Sequence, residues 1–369
     1  MWWVVILSAA LLIGCCAANA APAEHDDGID EVVNLEMHRS LAPGVAVATI
    51  RTGLTPRMRY YGYANVEHRV GLNAQTLFQS ASLGKQLVAA LVMLLKEDGD
   101  IDLEAPITTY LPDAPSSWRD IKVRHLLTHM SGLPNYNTKE RGFDRRRNYS
   151  EDELLAHAYT LQREPGRCWL YSNTGYMLLG IIIHKISGRF YGDLLKERIF
   201  TPLGMNSARV ISEADIIANR AAGYRKSRRG ELKNQKWIAP KTNTTADGSL
   251  YLSLADWILW DEAVFRRALL KRESWTEIFT PVALGKGTYP YGFGWYVTKA
   301  GGRTVHFHDG GWQGFSAALL QYWEDDLTVI VLANVDDLDA MGLAWKIARE
   351  VDPMLETPEP FPDRCPARE

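Results

Sequence analysis

Ser82 is followed three positions later by Lys85, and no other serine in the chain has a lysine at that spacing. Three residues make most of one helical turn, so both side chains can sit on one face. A neutral amine there can take the hydroxyl proton and make the serine a nucleophile. Desolvation or nearby cations would supply that neutrality. Read alone, the pattern is weak. Ordinary residue frequencies give about one such match in a chain this long, and a serine capping a helix with its lysine in solvent is the simpler account.

Two further groups have chemistry to offer. Tyr171-Ser172-Asn173 stands just before an apolar helical pattern, Tyr176 to Ile186. A tyrosine hydroxyl shuttles a proton where cations lower its pKa, and Asn173 can both donate and accept towards a substrate amide. Turn chemistry after Pro165-Gly166 is the plain alternative, and Tyr63-Ala64-Asn65 repeats the triplet inside a strand pattern. His308-Asp309-Gly310-Gly311 ends one strand pattern and precedes another. Its glycines would let a substrate backbone come close. A backbone N–H there, with that of Ser82, would make an oxyanion hole.

The elements that must hold these residues are legible as patterns. A lead helix is expected up to about Leu41. Strands are expected over Gly44 to Ile50 and Arg57 to Asn65. Leu83, Leu87, Val88, Leu91, Leu94 and Leu95 recur at helical spacing until Asp98-Gly99-Asp100 stops them. Helices are expected over Glu151 to Leu161 and Tyr176 to Ile186, and a cap at Ser253 opens a helix carrying Trp257 and Trp260. Four strands then follow, Gly292 to Thr298, Arg303 to His308, Phe315 to Trp323 and Leu327 to Ala333, with links short enough for antiparallel neighbours. Asp337 should cap a last helix. The fold class is therefore α/β (α+β): an antiparallel sheet built by both chain ends and flanked by helices, with an all-α insertion. The expected division is 1–20 as a signal segment, 21–95 plus 256–369 as the sheet domain and 96–255 as the mainly helical insertion, with the site in the cleft between them.

At 369 residues the chain can bury a large core, and 46% hydrophobic with 23% charged residues marks it as globular. A net charge of −3 gives no case for nucleic acid. The short basic runs at Arg145-Arg146-Arg147 and at Arg225 to Arg229 read as solvated loops. Met1 to Gly14 is apolar and Cys15 to Ala20 is rich in small residues, as in an export signal with a cleavage site before Ala21. Leu12-Ile13-Gly14-Cys15 also resembles a lipobox, which would attach the protein to a membrane through a lipidated Cys15. Secretion, lipoprotein and uncleaved anchor all stand as readings, so the protein is expected to be exported, periplasmic or secreted. Cys168 and Cys365 remain outside that segment and are candidates for a bridge in an oxidising compartment.

The order Ser82-x-x-Lys85, Tyr171-x-Asn173, His308-x-Gly310 resembles the serine β-lactamase and penicillin-binding-protein superfamily. Its class C β-lactamase-like branch, with D,D-peptidase and esterase relatives, is the nearest. The stretches Ile121 to Pro134, Tyr171 to Gly180, Pro202-Leu203-Gly204-Met205 and Gly310 to Phe315 are similar to that group's hallmarks. The likeness runs from Pro43 to Asn334. It implies the β-lactamase/transpeptidase-like fold, with Ser82 as the acylated nucleophile and Lys85 and Tyr171 as the proton-transfer pair. It implies that Asn173, His308, Gly310 and Gly311 bind substrate, with the Gly311 N–H completing an oxyanion hole. In much of the superfamily the third motif is Lys-Thr-Gly. Here His308 takes the lysine place, and a neutral histidine supplies less fixed charge. Lys241-Thr242-Asn243 is a near match that precedes a helix cap instead of the terminal strand pair. His125 and His129 read as structural.

What the resemblance implies is an exported serine hydrolase that acylates itself on a small-molecule or peptide amide or ester. D,D-peptidase, D-aminopeptidase or esterase activity is favoured over efficient β-lactam hydrolysis. A true class C-like β-lactamase is the alternative, and a non-catalytic penicillin-recognising sensor or scaffold is the alternative of another class. No cofactor and no metal are implied. Metal hydrolysis through His306, His308 and Asp309 lacks further clustered ligands. An α/β-hydrolase elbow at Gly314-Phe315-Ser316-Ala317-Ala318 is followed by strand pattern where a helix is required.

Overall fold

The computed structural model describes residues 28–359 and 361. The segment expected to direct export, with Cys15 and Cys16, and Cys365 lie outside the described residues. Cys168 is disulfide-bonded, and its partner lies outside them too.

A seven-stranded antiparallel sheet runs in the order Tyr296–Ala300, Arg303–Trp312, Phe315–Tyr322, Leu327–Ala333, Gly44–Arg51, Arg57–Asn65, Val70–Gly71. The strand near the chain's start is thus inserted beside the one near its end, with Val45 opposite Ala333 and Arg51 opposite Leu327. Alternation explains why the central strands are apolar throughout. Val45, Val47, Val329 and Val331 face one core, shared with Ile29, Val33, Leu343 and Ile347 of the helices Ile29–Ser40 and Ala340–Val351. Ala46, Ala48, Ile330 and Leu332 face the other, shared with Leu87, Leu91, Trp257 and Trp260. A sheet covered on both faces has no side to leave polar.

The helix Gly84–Asp98 carries the Lys85 motif and ends at Gly99 in the left-handed region (φ 87°). The sequence suggests a stripe of leucines, but every residue from Gly84 to Leu95 is buried. The helix lies between the sheet and the helical part and needs apolar surface all round. Lys85 and Gln86 are buried with it, and Gln86 Oε1 accepts from the Trp260 indole at 2.9 Å.

Ser253 and Asp256 form the expected reciprocal cap on the helix Leu254–Phe265. The last helix differs from expectation. Asp339, not Asp337, caps it, accepting from the Gly342 N–H. The helix over Glu151 ends at Ala158 instead of Leu161. The strand expected over Gly292 to Thr298 starts only at Tyr296, because two positive-φ or close-packed glycines, Gly292 and Gly294, sit against Ile278 and Lys85 backbone. A small second sheet, Leu77–Gln79 with Leu250–Ser253 and Arg209–Val210, had no readable pattern. No helix among the described residues is long and apolar enough to cross a membrane.

Asp261 is 1% exposed between helix and sheet, where its Oδ1 accepts from Gln321 at 2.7 Å and Thr328 at 2.9 Å. Burial pushes its carboxyl up to about 7. The neutral form is therefore the one that favours folding. Its contribution is complete below the ordinary carboxyl range and is lost as the pH rises through about 7. Asp261→Asn should gain on the wild type by about 2 kcal/mol between pH 5.5 and pH 8. Urea unfolding at the two pH values measures this, and a gap independent of pH would show that Asp261 is charged throughout.

Candidate active site

Ser82 lies in the single turn Ala81–Leu83 that leads into the Gly84–Asp98 helix. The turn is fixed from behind by the short strand Leu77–Gln79 and by Ser80 N–H donating to Leu250 O at 2.8 Å. Ala81 holds a left-handed conformation, φ 47°, just before the serine. A non-glycine residue there stores about 1–2 kcal/mol of strain. Two glycines make this conformation possible. A Cβ on Gly248 would lie 2.3 Å from Ala81 O, and one on Gly310 would lie 2.8 Å from Ser80 O and 3.0 Å from Ser82 N. The third motif is thus packed directly on the peptide that carries the serine.

The three motifs converge. Lys85 Nζ is 3.0 Å from Ser82 Oγ, 2.9 Å from Asn173 Oδ1 and 2.5 Å from Asp247 O. Tyr171 OH donates to Ser82 Oγ at 2.8 Å. Asn173 opens the helix Asn173–Ser187, and its own N–H donates to Asn135 Oδ1 at 2.5 Å. Lys85 is fully buried, and burial pulls its amine down to about 8 against the opposing charges of Asp247 and Asp309. In its neutral form this amine has two N–H bonds, matched by Asn173 Oδ1 and Asp247 O, and one lone pair, which faces the serine hydroxyl. Tyr171 differs from expectation. Burial pushes its phenol well above the ordinary value, and only its bond to Ser82 pulls the other way. It is a neutral donor, not a phenolate.

His308 is buried and has no free ring nitrogen. Ser172 N–H donates to His129 Nδ1 at 3.2 Å, so His129 Nε2 carries the hydrogen and donates to Tyr291 OH at 3.1 Å. Tyr291 OH then donates to His308 Nε2 at 3.1 Å, and His308 Nδ1–H donates to Asp309 O at 2.6 Å. Every hydrogen in this chain has one consistent place, and both imidazoles are neutral. Burial drives both well below the ordinary range; the Lys85 charge adds to this for both, while Asp309 opposes it at His308. The expectation that the His308 ring meets substrate therefore does not match the geometry, since its ring nitrogens are spent inside the protein. His129, read from sequence as structural, is the far end of that chain.

The cavity at Ser82 is lined by Asn173, Asp247, Gly248, Gly311 and Trp312 among others. Gly311 is exposed and nothing lies within 4 Å of where its Cβ would be. The strand edge beside it is open. Tyr296–Ala300 pairs only with residues 303–307, which leaves 308–312 without a paired strand on that side among the described residues. Trp312 is fixed by its indole N–H, which donates to Asn243 Oδ1 at 2.8 Å. Asn243 belongs to Lys241-Thr242-Asn243, so that near match does reach the rim, through its asparagine.

Asp247, Gly248, Asn135, Tyr291 and Trp312 were not singled out in the sequence. Asp247 acts through its carbonyl, for which residue type gives no signal. The Asp247-Gly248 pair lies in a stretch with no period. His306 does not join a metal site. Its ring stacks on Phe279 at 4.2 Å, and among the described residues no group of three His, Cys, Asp or Glu side chains is placed to hold a metal.

A family model described as Beta-lactamase matches residues 29–352. The chain is 32% identical to penicillin-binding protein 4* of Bacillus subtilis over 75% of its length. It is 30% identical to a D-aminopeptidase of Gluconobacter oxydans over 79% of its length. The matched parts cover 65% and 56% of those two proteins, so the chain spans less than two thirds of either. Among solved structures, the D-amino acid amidase of Ochrobactrum anthropi SV3 with D-phenylalanine superposes with a TM-score of 0.76 at 25% identity. That match covers 88% of this chain and 97% of the amidase.

Proposed function

The chain belongs to the Beta-lactamase family, and from that premise we propose that it is a serine hydrolase which acylates Ser82 with an amide or ester substrate. The observation that carries this is the buried Lys85 amine, held at two acceptors with its lone pair on the Ser82 hydroxyl. Lys85 takes the Ser82 proton as Oγ attacks the carbonyl carbon. The oxyanion develops against the backbone N–H groups of Ser82 and Gly311. The carbonyl–nitrogen or carbonyl–oxygen bond then breaks, and the proton returns from Lys85 to the leaving atom with neutral Tyr171 as relay. Water repeats the sequence on the ester. Asn173 and the open edge at residues 308–312 hold the substrate's backbone, as a strand would.

The substrates proposed are peptides or amides of D-amino acids, the class named by the aminopeptidase and amidase relatives. The absence of a free cation at His308 supports them over β-lactams. A well-placed ionic hydrogen bond is worth roughly 1.5–3 kcal/mol, so lacking one costs a rigid β-lactam about one to two powers of ten. Export is part of the proposal, supported by the apolar leader pattern and by the disulfide at Cys168, a bond favoured in oxidising compartments. The test is kcat/KM for a D-amino acid amide, a D-Ala-D-Ala peptide, a p-nitrophenyl ester and nitrocefin. Nitrocefin should be at least about tenfold poorer than the best of the others. If it is the best substrate, the protein is a β-lactamase.

A further inference from the structure

Arg145, Arg146 and Arg147 are consecutive, yet the fold treats them differently. Arg146 pairs with Asp144 at 3.1 Å, and Arg147 pairs with Glu153 while lying over the Tyr149 ring. Arg145 has no ion-pair partner among the described residues. Its guanidinium sits 5.2 Å from the centroid of the Trp312 ring, and Trp312 lines the Ser82 cavity. With its amide oriented to satisfy both neighbours, Gln313 accepts from Arg145 Nη1 at 3.3 Å and donates to Lys236 O at 2.5 Å. Arg145 O accepts from Ala239 N–H at 2.9 Å. An uncompensated cation is thus held between the Trp312 ring and the Gln313 amide, beside the ring that lines the cavity.

The near end of the unpaired 308–312 stretch has the opposite sign. Asp309 is exposed and has no ion-pair partner among the described residues. It lies three positions from Trp312, about 10 Å along an extended strand. Tyr171, the proton relay of the proposed reaction, is at that end, with its ring 6.1 Å from that of His308. The leaving group therefore departs towards Asp309, and the acyl half of the substrate runs past Gly311 towards Trp312.

We infer that Arg145, stacked on Trp312, forms a subsite for a carboxylate on the acyl half of the substrate. This rests on the proposed function and assigns that site a substrate class: D-amino acid amides or peptides carrying an acidic group on the acyl side of the scissile bond. A planar guanidinium over an indole face, with one Nη1 hydrogen on Gln313, keeps its remaining edge N–H groups for a bidentate carboxylate.

The probes are N-succinyl-D-alanine p-nitroanilide and its succinyl monomethyl ester, which share a leaving group and differ by one charge. Each is used to protect Ser82 from a fluorophosphonate, with the adduct quantified by mass spectrometry. The acid should protect wild type at a concentration about tenfold lower than the ester, and added salt should narrow the gap. Arg145→Ala should erase the gap, and Arg145→Lys should restore part of it. Should the alanine variant fold poorly, Arg145→Gln, which keeps a planar amide without charge, decides the same question. Equal protection by both probes, protection by neither, or a gap that survives loss of the Arg145 charge overturns the inference. In those outcomes Ser82 still labels without a probe. A wild type that never labels at Ser82 overturns the proposed function itself.

Discussion

Replacing Ser82 by alanine should abolish fluorophosphonate labelling and lower turnover by a factor on the order of 10⁴ to 10⁶. The size of the effect follows from what the oxygen does. In the proposed reaction it is the atom that bonds to substrate, and both Lys85 and Tyr171 act through hydrogen bonds to it. Alanine leaves the backbone N–H in place, so substrate still binds and only the covalent step is lost. Mass spectrometry of the labelled protein locates the adduct. Labelling that persists at full strength in the variant would mean that another residue is the nucleophile. Among the described residues no other serine combines access to this cavity with a buried amine at hydrogen-bond distance.

Lys85→Met and Tyr171→Phe should each cost about 10² to 10⁴ in kcat/KM, and the double variant should cost little more than the worse single one. Both groups serve one oxygen and one proton, so removing the second after the first removes little. Losses that multiply would contradict a shared proton path. The pH profile gives a second readout. The base works only when its amine is neutral, and burial pulls that amine to about 8. Wild-type kcat/KM should therefore rise with pH through that value and level off above it. Tyr171 is raised, not lowered, so no phenolate ionisation should appear on the acid side. In Lys85→Met the limb near pH 8 should vanish.

The two ends of the sheet were legible because their strands are short apolar runs bounded by turn residues, and so was the order of the three motifs. Lys85 could be read as a base, but its neutrality could not. That comes from burial on a helix that is apolar on every side, which a leucine stripe does not reveal. Tyr171 shows the same limit from the other direction. Its type suggested a shuttle charged by nearby cations, whereas its surroundings keep the phenol protonated. His308 was placed correctly on its strand, but its partner Tyr291 is 17 positions away with no spacing to betray it. The three arginines at 145–147 look alike as letters and differ only in what they meet. Sequence conveys periods and local caps well, and long-range hydrogen bonds to carbonyls and rings poorly.

The pairing of Gly44–Arg51 with Leu327–Ala333 joins strands separated by nearly the whole chain. Chains are made from the N-terminus, at about 5–20 residues per second. The Gly84–Asp98 segment is therefore made well before the strand carrying Gly310 is synthesised. Contacts this distant in sequence are slow to form because a long loop must close before they repay it. Until Gly310 arrives to press on Ser80 and Ser82, nothing from the third motif braces the turn at Ala81. A nascent chain thus carries an unbraced serine, and on the proposed mechanism hydrolytic competence arrives as one of the last events of folding. Transiently exposed apolar surface is what makes folding intermediates prone to aggregate.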